Sequence, residues 1–268
     1  MQNYLRRFQT TEDYEDFKES EDYIEPNVSI CKDTGSVMYN QAETNNGILK
    51  FKSFSVSTIK LVVGSGSPAA ISLQYSKDNG DTWMPYTIGD TIDLGVLDTV
   101  MLKGNNSSFS SSATNYYKFQ MTGSVAASGD VTSLLNGVGG DVDLSTNNIT
   151  FTSLFMNCTA LTQAPELPAT TLAEECYHGM FSSCTSLTKA PELPATTLVT
   201  NCYGNMFNGC TNLNYIKAMF TTTPGSLYTG RWVAGVASTG TFVKNSAAEW
   251  DVTGEHGVPS GWTVQTAS

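Results

Sequence analysis

Between residues 46 and 126 apolar positions recur at every second residue: Leu49 and Phe51, then Ile59, Leu61 and Val63, then Ile71, Leu73 and Tyr75, and later Tyr117, Phe119 and Met121. Period-two alternation places one face of a strand against a core and the other in solvent. Gly-, Ser- and Asn-rich turns separate these runs at intervals of roughly 8 to 12 residues, the spacing of an antiparallel sandwich. Residues 46–126 are therefore expected to form an immunoglobulin-like β-sandwich. Upstream, residues 1–45 read as an arm. Thr10 or Thr11 can cap a short helix whose first turn carries Glu12 and Asp13 at the positive end of its dipole, with Tyr14 and Phe17 on one face. Val28 to Cys31 and Ser36 to Tyr39 flank Lys32-Asp33-Thr34-Gly35 as a β-hairpin. So small an arm buries too little to fold alone, so it is expected to dock on a partner.

From residue 127 the pattern changes period. Phe155, Phe181 and Phe207 are 26 apart, as are Cys158, Cys184 and Cys210, and Leu161, Leu187 and Leu213. The stretch Ala164 to Leu172 returns letter for letter as Ala190 to Leu198, and Cys176-Tyr177 returns as Cys202-Tyr203. Such self-similarity outranks local propensity and predicts a solenoid, in which equivalent residues line up as ladders about 4.8 Å apart. The repeated Phe, Leu and Cys then build the core, and the repeated Pro residues bring each coil round. The solenoid is expected over residues 127–220, with residues 127–153 as its first coil. Residues 221–268, rich in aromatics (Trp232, Phe242, Trp250, Trp262) but without the repeat, are expected to close its end as a cap. The fold class is thus mainly β, with few helices.

The repeated blocks resemble the BspA-like leucine-rich repeats in the variant M-F-x-x-C-T-x-L-x-x-A-P-x-L-P-A-T-T-L-x-x-x-C-Y, beginning at Leu154, Met180 and Met206. The first copy has Leu for Met and the third breaks off after Leu213. The resemblance continues in Thr239 to Asn245 and Gly257 to Val264, and in the sandwich through Tyr75 to Gly80 and Leu102-Lys103-Gly104. The arm, through Asn27 to Cys31 and Val37 to Asn40, is similar to N-termini of gut-Bacteroides phage and prophage virion proteins. These resemblances imply a surface-displayed attachment module with no catalytic residue, and hence a structural or adhesive, non-enzymatic virion component: a head fibre, decoration protein or tail-associated appendage. The alternative is a bacterial cell-surface adhesin of the BspA-like type. No apolar signal segment and no run approaching 18 apolar residues is read in the chain, which tilts the expectation toward the virion. In that setting the arm meets other virion proteins, the solenoid faces a host glycan or protein, and the chain assembles as a homo-oligomer, a trimer or dimer. Neither membrane insertion nor a cofactor is expected.

Charge and candidate chemistry narrow the function further. The net charge is −11, and the only arginines are Arg6, Arg7 and Arg231, so no basic stripe exists to neutralise nucleic-acid phosphates. The six cysteines lack the short paired spacings of zinc sites; ladder-mates could lie within disulfide range, but repetition at core positions favours buried free thiols over disulfides. His178 and His256 are the only histidines, so Cys176 with His178 lacks an evident third group for nucleophilic catalysis. Glu166 and Glu192 sit at equivalent repeat positions, which argues for a turn role rather than a glycosidase pair. Ser76 to Trp83 fits S-x-D-x-G-x-T-W, similar to the Asp-box of sialidases, and is read as a hairpin turn because it occurs once and the arginines a sialidase needs are absent. Tyr177 and Tyr203 form a two-rung aromatic ladder, equally suited to a binding platform or to the core.

Overall fold

The computed structural model describes residues 27–30, 37–40 and 47–267. The chain divides into two compact units, Met1–Asn46 and Gly47–Ser268. In the first, β1 (Asn27–Ile30) and β2 (Val37–Asn40) pair antiparallel with Asn27 opposite Asn40 and Ile30 opposite Val37. This is the expected strand pairing, its first strand beginning one residue earlier and its second one residue later than the pattern suggested. The helix expected from Thr10 or Thr11 lies outside the described residues.

The second unit begins with nine strands: β3 (Leu49–Ser53), β4 (Ser57–Ser65), β5 (Leu73–Ser76), β6 (Met84–Tyr86), β7 (Thr91–Leu94), β8 (Thr99–Gly104), β9 (Ser110–Ser112), β10 (Asn115–Thr122) and β11 (Val125–Ser128). A short helix, α1 (Ser133–Asn136), follows, and then β12 (Leu161–Gln163). They form a four-stranded sheet in the order β7-β4-β10-β9 and a six-stranded one in the order β12-β11-β3-β8-β5-β6. All pairings are antiparallel except that of β11 with β12. The alternating residues face one another across the sheets, and Phe51 meets Phe119 edge-on at 5.2 Å. The alternation overreached at Val63, which is 46% exposed. There β10 shifts register between Tyr116 and Tyr117, so the end of β4 runs past the core.

Beyond β11 the backbone follows a rule that is neither helical nor extended. In the first repeat the N–H groups of Thr152, Leu154 and Met156 donate to the carbonyls three residues back, those of Ile149, Phe151 and Ser153. The intervening N–H groups of Phe151, Ser153 and Phe155 donate instead to Cys176, His178 and Met180 of the next repeat. The second repeat hands on its bonds from Tyr177, Gly179 and Phe181 to Cys202, Gly204 and Met206, and the third from Tyr203, Asn205 and Phe207 to Tyr228, Gly230 and Trp232. Alternate amides thus close tandem turns within a coil and stitch it to the next, so these buried donors are satisfied. Turns packed this densely need a left-handed residue at every fourth position: Ile149, Ser153 and Asn157; Glu175, Gly179 and Ser183; Asn201, Asn205 and Gly209.

The side chains stack in register. Phe155, Phe181 and Phe207 lie 5.4 and 5.8 Å apart with planes within 7° and 6° of parallel. Phe151, Tyr177 and Tyr203 form a second stack at 5.9 and 6.1 Å. The paired sheets supply the starting rung. Phe119 of β10 stacks on Phe155 at 5.1 Å, and its N–H donates to Leu154 at 2.7 Å as that of Phe155 donates to Met180 at 2.8 Å. The Cys158 thiol donates to the Phe119 carbonyl at 3.2 Å, as Cys184 does to Phe155 at 3.1 Å and Cys210 to Phe181 at 3.0 Å.

At the other end come β13 (Tyr215–Ala218), α2 (Ser226–Thr229), β14 (Thr241–Lys244) and β15 (Thr263–Thr266), the three strands forming a parallel sheet. Trp232 closes both ring stacks, 6.2 Å from Phe207 and 6.4 Å from Tyr203. The indole N–H groups of Trp232, Trp250 and Trp262 donate to the carbonyls of Gly257, Phe220 and Ala237, so these large side chains are buried without stranding a donor.

Candidate functional site

A groove of about 510 Å³ lies on the strand side of the coil stack and spans three successive repeats. Its central column is Gln163, Lys189 and Tyr215, residues 26 apart and therefore stacked one above another. The Lys189 ammonium sits 5.0 Å from the centre of the Tyr215 ring. A second column holds Pro165 and Pro191, and in the third coil its place is taken by Lys217, whose ammonium reaches Glu192 of the coil before at 2.8 Å. That hydrogen bond and the charge of Glu192 raise the pKa of Lys217, keeping it protonated. Thr188 and Thr162 add hydroxyls to the rim.

Local backbone explains why these groups point outward. The N–H of Ala190 donates to the Tyr215 carbonyl at 2.9 Å and that of Leu193 to the Lys217 carbonyl at 3.0 Å, so the peptide groups are used between coils. Ala190, Leu193, Ile216 and Ala218 fill the core, which turns Lys189, Glu192, Tyr215 and Lys217 to the surface. Sequence reasoning missed Tyr215 and Lys217 because it weighted repetition. The available signal was the opposite one: the third repeat breaks off just after Leu213.

The aromatic pair singled out from the sequence lies elsewhere. Tyr177 and Tyr203 are each 1% exposed and stacked in the core, so the binding-platform reading is corrected: neither ring offers a face to a ligand. Period-two logic left one member of each Cys-Tyr pair free to point outward, whereas tandem turns bury both neighbours, Cys176 with Tyr177 and Cys202 with Tyr203.

The five described cysteines, Cys158, Cys176, Cys184, Cys202 and Cys210, are buried free thiols. Burial pushes Cys158 and Cys210 up to about 12 and Cys202 up to about 11, and raises Cys176 and Cys184 as well. Thiols held in the protonated form are poor nucleophiles. His178, two residues from Cys176, bonds through Nε2 to the Asn205 amide at 3.1 Å, and burial lowers its pKa although Glu175 opposes the shift.

Ser76 to Trp83 forms the turn between β5 and β6. Asp78 accepts from Ser76 Oγ at 2.6 Å and from the Thr82 N–H at 2.9 Å, and these bonds hold it down at about 2. Trp83 donates to the Gly80 carbonyl at 3.0 Å and lies beneath the Lys103 ammonium. The motif is a self-satisfied hairpin, as read. Glu192 is engaged by Lys217, and Glu166 bridges toward Asp130 through the backbone. An exposed apolar patch of Phe54, Val56, Val96 and Leu97 occupies loops at the ends of β3 and β7 and brings no polar group to the groove.

Among the described residues no group of three or more His, Cys, Asp or Glu is placed to hold a metal ion, and no helix is long and apolar enough to cross a membrane. No protein-family model, no curated protein and no solved structure matches this chain.

Proposed function

We propose that this chain is a non-enzymatic structural and adhesive component of a phage virion, with the paired sheets as an immunoglobulin-like β-sandwich and the coil stack as a leucine-rich-repeat solenoid displayed for attachment. The arm anchors it to other virion proteins and the chain assembles as a dimer or trimer. The observation that carries the reading is the commitment of the repeat's residues to ladders. Phe, Cys and Leu build the core, and alternate amides join one coil to the next. What remains for function is an outward-facing surface, where a groove holds polar side chains on a rigid frame.

The likeness of the arm to virion-protein N-termini supports the particle setting. Mass spectrometry of density-purified virions is expected to detect the chain in stoichiometric amount, and its absence from infectious particles sinks the proposal. Removing residues 1–45 is expected to abolish incorporation while the remaining chain stays folded. Release of the chain by protease shaving of intact uninfected cells would favour the bacterial surface adhesin instead.

A further inference from the structure

The groove is built where the repeat fails to repeat. At the column that carries Gln163 and Lys189 the third coil places Tyr215, and where the first two coils carry Pro165 and Pro191 it places Lys217. Residues that recur every coil serve the ladder. Tyr215 and Lys217 do not recur, and both line the groove together with Lys189 and Glu192.

We propose that this groove binds a saccharide, with Tyr215 as the stacking platform and Gln163, Lys189, Glu192 and Lys217 as hydroxyl partners; the proposal rests on reading the coil stack as an attachment module. Sugar hydroxyls both donate and accept, so a site for them needs donors, acceptors and groups that do both. Here the Lys217 ammonium only donates, the Glu192 carboxylate only accepts, and the Gln163 amide and Thr188 hydroxyl do either. The apolar C–H face of a sugar ring needs a flat aromatic surface, which Tyr215 supplies. Lys189 covers that ring, but it is exposed, and a surface cation–π contact is worth only about 0.5–1 kcal/mol. The ammonium can therefore swing aside and donate to a hydroxyl as the sugar takes its place. A volume of about 510 Å³ falls within the range of small-ligand sites.

Other ligand classes fit less well. A polyphosphate would meet the Glu192 carboxylate, with Lys217 already paired to it. A peptide adding as a strand would find the Ala190 and Leu193 amides already donated to the neighbouring coil. The sugar alone uses the ring, the acid and the amide together.

The test uses the full chain on an array of defined bacterial capsular and mucin-type oligosaccharides, followed by calorimetry with the saccharide best retained. Glu192→Gln and Tyr215→Leu are each expected to weaken binding at least about tenfold. Lys189→Ala is expected to weaken it less, and Asp90→Asn on the sandwich to bind as the parent does. Unchanged melting temperatures of Glu192→Gln and Lys189→Ala keep the comparison free of folding effects. An array that retains nothing, or a retained saccharide indifferent to the groove variants, overturns the proposal. The attachment reading fails separately: particles that carry the groove variants and still adsorb to host cells normally overturn the groove's part in attachment, while the sugar site stands or falls on the array and calorimetry. Particles that lack the chain altogether overturn the virion reading and leave groove binding measurable in solution.

Discussion

A hydroxyl stranded among stacked rings is a cost with no visible return. The Tyr177 hydroxyl is buried without a hydrogen-bond partner, while the same column in the preceding coil holds Phe151. An unsatisfied buried polar group costs about 1–3 kcal/mol, so Tyr177→Phe is expected to stabilise the chain by up to that amount and Phe151→Tyr to destabilise it. Urea denaturation reads this as a midpoint shift at constant slope; a lower midpoint for Tyr177→Phe would mean that the hydroxyl has a partner. The thiols follow the same logic of burial. In a Cys31→Ser background, a thiol-specific disulfide reagent at roughly pH 8 is expected to leave the native chain unlabelled and to modify five cysteines once it is unfolded. Rapid labelling of the native chain would contradict the closed core. His178 contributes a pH dependence of its own. Burial depresses its folded pKa below the ordinary 6.5, so the folded state resists the proton. Its contribution to stability is therefore complete above 6.5 and lost as pH falls through that value toward the lower folded one. His178→Gln, which keeps an acceptor for Asn205, is expected to flatten stability between roughly pH 5 and 8 relative to the parent.

At the scale of the element, the tandem turn sets the rules. Gly179, at φ 60, occupies a left-handed position that a side chain resists, whereas Gly225 has an extended φ of 174 and nothing within 4 Å of where a Cβ would stand. Gly179→Ala is expected to cost about 1 kcal/mol, and Gly225→Ala to change stability by less than about 0.5 kcal/mol; equal effects in thermal denaturation would refute the assignment of strain to the turn. The same element explains what could be read in advance. The strands of the paired sheets were legible because alternate side chains there do face core and solvent in turn, from Leu49 to Met121. The stack of equivalent residues was legible because identical letters at a fixed spacing must superpose. The path of the backbone within a coil was not. Left-handed positions are filled even by Ile149 and Glu175, residues that carry no turn signal, because bonds to neighbouring coils over-determine the conformation. The fate of Tyr177 and Tyr203 was hidden for the same reason, since nothing local says that consecutive residues can both be buried. The groove is half-visible in the sequence: the break in the third repeat reads only as an ending.

Across the whole second unit, the sheets and the coils share one core rather than two. Phe119 belongs to β10 by its backbone and to the coil stack by its ring, its amide bond to Leu154 and its carbonyl's bond from Cys158. β11 likewise pairs with β3 on one side and with β12 on the other. A terminal coil cannot leave its apolar face and amides in water, and here the paired sheets supply the rung that a dedicated N-terminal cap would otherwise provide. Truncating Phe119 to alanine removes a fully buried ring from the junction, at a cost of about 3–5 kcal/mol. If the sheets and coils were independent modules, that loss would appear only in the sheets. With a shared rung it must appear in both. Hydrogen exchange followed through increasing urea is expected to show Leu61 in β4 and Phe207 in the third coil losing protection at the same concentration in the parent chain, and both at a lower one in Phe119→Ala. A coil stack whose protection survives the substitution unchanged would show that it folds on its own. The consequence is mechanical: the groove, built on all three coils, is held to the sheets through the Phe119, Phe155, Phe181 and Phe207 column, so it moves with them as one piece.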